Sequence, residues 1–386
     1  MKRILAGTLL IICLAAGAAA EEIRVFAAEG TMDERTASRL VQLLGREFPQ
    51  AQWTLEHGAQ TQEPLSKLVM EDRAPQIAIC SPGEAALWEK EGLLLPLTKH
   101  VGDQKSIAPA VLAACTQGEE LFMAPLVARH RQMAVNRRMM EKRHLGYLLN
   151  PVEHPAWLTS QLYQVLEEFL LTDQPSMEIW PAEPESCEAI AALLQTLYGG
   201  RLFDADGAVC LEDVSSLCAA AEWLREMTEQ EMIGMAADRE QALARFVSGE
   251  TAIFLDWTEE MEAQHRAQLE KNGVQVAALP YPSVSGDVVR VFDLAGAAVF
   301  DSGDAKKNAL AVQAVAFLHE DVQAQLLMGS RAVFRDEAQW LPALGVSADG
   351  AAVREQLCAA LQEILNGEEE PETAFAEVRA IAEALR

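Results

Sequence analysis

The 386-residue chain carries 31 Lys and Arg against 58 Asp and Glu, a formal net charge of -27. A surface that acidic repels phosphate backbones and excludes nucleic acid as a partner, while its ordinary consequence is solubility. The length predicts about two or three units, each able to bury its own core.

At the start, Lys2 and Arg3 precede the apolar run ILAGTLLIICLA, which is too short to span a bilayer, and Ala18, Ala19 and Ala20 form a small-residue cleavage pattern before Glu21. Residues 1–20 therefore read as a cleaved secretory signal peptide, and the mature chain is expected in the periplasm or outside the cell. Cys13 follows Ile11 and Ile12 rather than a small residue, so a lipoprotein anchor is not expected. Six cysteines remain: Cys80, Cys115, Cys187, Cys210, Cys218 and Cys358. Their even number permits disulfides in an exported chain, but their spacing matches no zinc site and selects no connectivity.

EIRVFAAEG reads as a buried strand that runs into a loop at Glu29, Gly30 and Thr31. Leu40, Leu43, Leu44 and Phe48 recur at helical spacing over Glu34 to Phe48. AQWTLEH is a second strand, EPLSKLVMED a second helix, PQIAICSP a third strand, and GEAALWEKEG a third helix closed by Gly92. This alternation predicts a parallel sheet with helices on both faces, its ligand-contacting groups on loops that leave the carboxyl ends of strands. The pattern loosens from LFMAPLVARHRQMAVN to about Gly200 and returns in TAIFLDW, VQVAALPYP and DLAGAAVF. Two helices close the chain, Ala351 to Leu365 and Pro371 to Leu385, joined by the acidic NGEEEPE, whose charges suit the start of the second.

The nucleophile and cofactor signals are missing. VSGE and MGSR lack the second glycine of a nucleophile elbow, no H-E-x-x-H pair occurs, and neither a P-loop nor a G-x-G-x-x-G is present. The reading is of a non-enzyme without a cofactor or metal.

The order of segments resembles the extracellular solute-binding proteins of family 1, the sugar-type substrate-binding proteins of ABC importers. The likeness runs through REFPQAQWTLEH, APQIAICSPGEAALWEKEGLLLPL, ELFMAPLVARHRQMAVNRRMMEK with Pro125 and Asn136, YGGRLFDADGAVCL, RFVSGETAIFLDW, ALPYP, DAKKNALAVQAVAFLHEDVQAQLLM and LNGEEEPETAFAEV. Gln76 replaces the usual acid of the third strand, and HPAWLTSQLYQVL keeps Trp157 but loses two acids of the family pattern.

The resemblance implies an α/β, two-lobe type II periplasmic binding protein fold with a hinge and an interlobe cleft. Lobe 1 would comprise 21–126 with a return over about 296–335, and lobe 2 would comprise 127–295 with the terminal helices over about 336–386. The hinge would lie near Val127 and Ala128, Ala295 to Ala297, and Ala332 to Phe334. The implied partners are a small solute, a sugar or oligosaccharide, and the membrane permease of an ABC transporter, with the chain itself a monomer. A polyamine, metal or peptide guest, a non-transport assembly role and a secreted hydrolase are the alternatives.

The ligand candidates are Glu29, Thr31, Ser81, Arg129, Trp180, Asp256 and Trp257, with Phe292 and Asp293 weaker. A carboxylate bonds hydroxyls directionally and an indole covers the C–H face of a pyranose, so Asp256 beside Trp257 suits a sugar. The competing reading makes Trp257 core and Asp256 the cap of the next helix. Trp180 is likewise a stacking face or packing, Thr31 a contact or a helix start, and Arg129 a ligand group or an interlobe salt bridge.

Overall fold

The computed structural model describes residues 21–28, 31–58, 65–102, 107–171, 175–181, 187–202, 209, 211, 214–321, 339–342 and 348–385. The first strand, β1 (Glu21–Ala27), buries Ile23, Val25, Phe26 and Ala27. It pairs in parallel with β2 (Ala51–His57) on one side and β3 (Ile77–Cys80) on the other. Between them, α1 (Glu34–Glu47) starts at Asp33, whose carboxylate accepts from the Thr36 N–H at 3.0 Å, and it buries Ala37, Leu40 and Leu44. The spacing of the leucines thus sets the buried stripe. A short α2 (Leu65–Met70) and then α3 (Pro82–Lys90), which follows β3 directly, complete this first alternation.

After α4 (Pro109–Ala114) and the two-residue strands β4 (Thr116–Gln117) and β5 (Glu120–Leu121), the chain enters the 14-residue β6 (Met123–Asn136). Beyond it lie α5 (Arg137–Lys142), α6 (Thr159–Leu170), β7 (Met177–Ile179), α7 (Cys187–Leu197), α8 (Val214–Glu229), β8 (Ile233–Met235) and α9 (Arg239–Ser248). Gly249, at φ 83°, ends α9 in the left-handed conformation that a side chain resists. β9 (Ile253–Trp257), α10 (Glu259–Asn272) and β10 (Val276–Leu279) follow. The return strand β11 (Val289–Val299), α11 (Ala305–Glu320), β12 (Gln339–Pro342), α12 (Ala348–Leu365) and α13 (Pro371–Leu385) complete the described chain.

Strand pairing runs β2-β1-β3-β11-β6-β9-β7-β8, with β10 on β6 and β12 on β11. β11 is antiparallel to β3 and β6, and β6 is antiparallel to β9 and β10; β7 is parallel to β8 and β9. The sheet is therefore mixed, which corrects the expectation of a parallel one. Two strands cause the difference: β6 leaves the β1-β2-β3 group for the β7-β8-β9 group, and β11 comes back beside it in the opposite sense. Helix α12 packs against both α3 and α8, adding a second tie between the two groups.

The register of the crossing pair shifts between Ala295 and Gly296, inside the stretch expected to hold a hinge. A Cβ on Gly296 would lie 2.5 Å from Met123 Cγ and 2.6 Å from the Ala124 carbonyl oxygen. Backbone does not yield as a flexible side chain does, so Gly296→Ala is expected to destabilise the chain by about 1–3 kcal/mol, the usual cost of overpacking, read from chemical denaturation. An unchanged unfolding midpoint would mean that the two strands separate easily at this point.

Cys80, Cys115, Cys187, Cys218 and Cys358 are free thiols, all buried; Cys210 lies outside the described residues. Among the described residues no helix is long and apolar enough to cross a membrane, and no group of three His, Cys, Asp or Glu is placed to hold a metal. The expected hinge at Ala332 to Phe334 also lies outside the described residues.

Candidate functional site

The crossing strands carry charge through an apolar core. On β6, Arg129 and Arg131 occupy alternate positions and so share one face, and Asp293 of β11 stands directly opposite Arg129. Arg131, with 15% of its side chain exposed, lies 2.5 Å from Asp256 of β9, 2.6 Å from Glu188 of α7 and 3.2 Å from Asp293. The second oxygen of Asp256 takes the Nε–H of Arg239, from α9, at 2.6 Å, and Arg354 of α12 reaches Glu188 at 3.0 Å. Three guanidiniums thus face three carboxylates, drawn from six elements.

Burial alone would raise the carboxyl pKa of Asp256, but Arg131 and Arg239 outweigh it and hold the group below its usual range. Burial would likewise lower the pKa of Arg131, and Asp256, Glu188 and Asp293 reverse that. For Glu188, burial dominates and leaves the pKa raised in spite of Arg131 and Arg354. Next along β6, burial and then Arg290 lower the His130 pKa to about 4, so the imidazole is neutral at neutral pH and adds no charge here. Tyr281, fully buried, donates its hydroxyl to the Leu255 carbonyl at 2.6 Å and fixes the strand just before Asp256.

Asp256 is therefore not a helix cap. β9 is buried at all five positions between β6 and its neighbours, and the strand carries an acid because two guanidiniums meet it. Trp257 and Trp180, read as candidate stacking faces, are both 0% exposed. Trp180 stacks on Phe254 at 5.2 Å and 16°, while Trp257 meets Phe246 and Phe254 edge-on at 5.7 and 6.4 Å. The Arg239 guanidinium lies 5.7 Å from the centre of the same Phe254 ring. Neither indole presents an exposed face; together with Phe246 and Phe254 they form an aromatic block against which the Arg239 guanidinium lies.

The candidates from the first strand group are also engaged internally. The Thr31 hydroxyl donates to the Ala28 carbonyl at 2.6 Å, and its own carbonyl accepts from Arg129 Nη2 at 2.7 Å. This joins the loop after β1 to the crossing strand. Ser81 is the N-cap of α3: its Oγ accepts from the Glu84 N–H at 3.3 Å, and the Glu84 carboxylate accepts from the Ser81 N–H at 3.1 Å. Glu29 lies outside the described residues. Sequence reasoning reached Arg129, Asp256 and Asp293 but missed Arg131, Glu188, Arg239 and Arg354. The available signal was charge where little belongs: Arg129 and Arg131 at alternate positions in a strand with apolar ends, and Glu188 in a helix whose every residue is buried.

Neither a protein-family model nor a curated protein matches the chain. Solved structures match it over nearly its whole length at low identity. The GacH receptor of Streptomyces glaucescens, studied unliganded and with acarbose, superposes with a TM-score of 0.72 at 16% identity over 95% of this chain and 98% of that one. An ABC transporter solute-binding protein of Thermotoga lettingae bound with α-D-tagatose gives 0.73 at 14% identity over 95% and 100%. The maltose/maltodextrin-binding domain of Bdellovibrio bacteriovorus bound to maltotriose gives 0.70 at 15% over 94% and 99%. The chain thus has the two-lobe α/β fold of the ABC-transporter substrate-binding proteins.

Proposed function

We propose that the protein is an exported substrate-binding protein of an ABC importer, which captures a sugar or oligosaccharide between two closing lobes, leaves it chemically unchanged and delivers it to a membrane permease. The observation that carries this reading is the likeness, over 95% of the chain, to binding proteins solved with saccharides. The lobes are those drawn from the sequence, 21–126 with a return over about 296–335, and 127–295 with the terminal helices; the mature chain acts as a monomer in the periplasm or outside the cell. A guest that bridges the lobes favours the closed form by its differential affinity for it.

The guest lies over the face of the crossing strands that carries Arg129, Arg131 and Asp293, with Asp256 and Glu188 beside them. Thr31 and Ser81 approach from the first lobe, and Glu29 remains a candidate on the sequence alone. Carboxylates and guanidiniums present acceptors and donors in fixed directions, which suits an array of hydroxyls. With Trp180 and Trp257 enclosed, recognition rests on hydrogen bonds more than on ring stacking, and the two indoles support the floor from behind.

A thermal-shift panel tests the reading: maltose, maltotriose, acarbose and tagatose against spermidine, divalent metals and short peptides. A saccharide at about 100 times its dissociation constant stabilises the folded chain by about 2.7 kcal/mol, a rise of roughly 5 °C. A rise with spermidine or a metal alone would replace the sugar with a cation, and no rise with any of them would remove the transport role.

A further inference from the structure

Cys187 opens α7 and Cys358 lies in α12, far apart in sequence, and the two helices pack against each other. Both are buried, 1% and 4% exposed. A second contact ties the same two helices in the same register: Glu188, the residue after Cys187, meets Arg354, one turn before Cys358, at 3.0 Å. The packing of α12 on α7 therefore brings the stretches that carry Cys187 and Cys358 together.

We propose that Cys187 and Cys358 form a disulfide when the chain folds in the presence of a disulfide oxidant. One thiol loses its proton and attacks the oxidant's disulfide, expelling one thiolate and forming a mixed disulfide. The other thiol, once deprotonated, attacks the chain's own sulfur, forming the S–S bond and releasing the second thiolate. The chain loses two hydrogens and two electrons, and the oxidant is reduced to two thiols. Burial, together with the neighbouring Cys358 thiol, raises the Cys187 thiol pKa well above its ordinary value. The folded Cys187 thiol therefore reacts slowly, and the bond forms while the helices are still assembling. It fixes α12 against α7 beside Glu188, so the cross-link stiffens one wall of the ion cluster. The proposal does not depend on the identity of the guest.

The test is oxidative refolding of the full chain. The protein is unfolded in denaturant, diluted into reduced and oxidised glutathione, quenched with acid, then unfolded again and alkylated without reductant. Cys187 and Cys358 are expected to escape alkylation and to appear as one cross-linked peptide pair lighter by two hydrogens, and both should alkylate after reduction. In Cys187→Ser, Cys358 should alkylate without reduction. Full alkylation of both cysteines in the wild-type chain would overturn the proposal. So would a link from either to Cys210, Cys218, Cys80 or Cys115.

Discussion

Arg131→Met is expected to cost about 3–5 kcal/mol of unfolding free energy, the usual consequence of removing one partner from a buried ion pair. Asp256 would keep Arg239 and Glu188 would keep Arg354, but Asp293 would lose Arg131, and all three carboxylates would face one another with less positive charge between them. Buried carboxylates in that position have raised pKa values, so the folded variant binds protons more tightly than the unfolded chain. Part of the lost stability should then return as the pH falls from 7 to about 5. Wild-type Asp256 behaves in the opposite sense. Its folded pKa is depressed, so its contribution is fully present above the ordinary carboxylate range and disappears as the pH falls through the folded value. Denaturant unfolding of both proteins at the two pH values checks this. A variant as stable as wild type at pH 7 would show that water already screens the cluster.

The second large effect is at Trp257. Its ring is enclosed by Phe246 and Phe254, so Trp257→Ala should leave a cavity and cost about 3–5 kcal/mol. Its indole N–H has no hydrogen-bond partner among the described residues. Trp257→Phe therefore gives up no bond and should cost less than about 1.5 kcal/mol, with saccharide affinity close to wild type. A residue that stacks on the guest behaves in the reverse way, losing affinity in both variants with little change in stability. Chemical denaturation and calorimetric titration of the pair separate the two roles.

Much of the fold is legible from local pattern. The strands β1, β2 and β3 and the helices between them follow from apolar periodicity, and both terminal helices follow from their spacing and from Pro371; the capping roles of Asp33 and Ser81 emerge only in the structure. The crossing strand β6 is not legible. It is buried at both ends and interrupted by Arg129, His130 and Arg131, so it shows neither the alternation of a half-exposed strand nor the unbroken apolar run of a central one.

The ion cluster escapes for a different reason. Asp256 is conspicuous at the end of IFLDW, but its partners lie 125 residues earlier at Arg131 and 17 residues earlier at Arg239, and only the chain path brings them to it. The side-chain neighbours of Trp257 are equally invisible. A tryptophan at the end of a strand looks the same in sequence whether β6 and Phe246 cover it or a guest does.

Capture by closure is most directly tested by small-angle X-ray scattering of the purified chain, alone and saturated with the saccharide that gives the largest thermal shift. The account predicts a smaller radius of gyration with the saccharide bound, as the two strand groups close about β6 and β11. A saccharide that saturates the protein and raises its melting temperature but leaves the radius of gyration unchanged would contradict it.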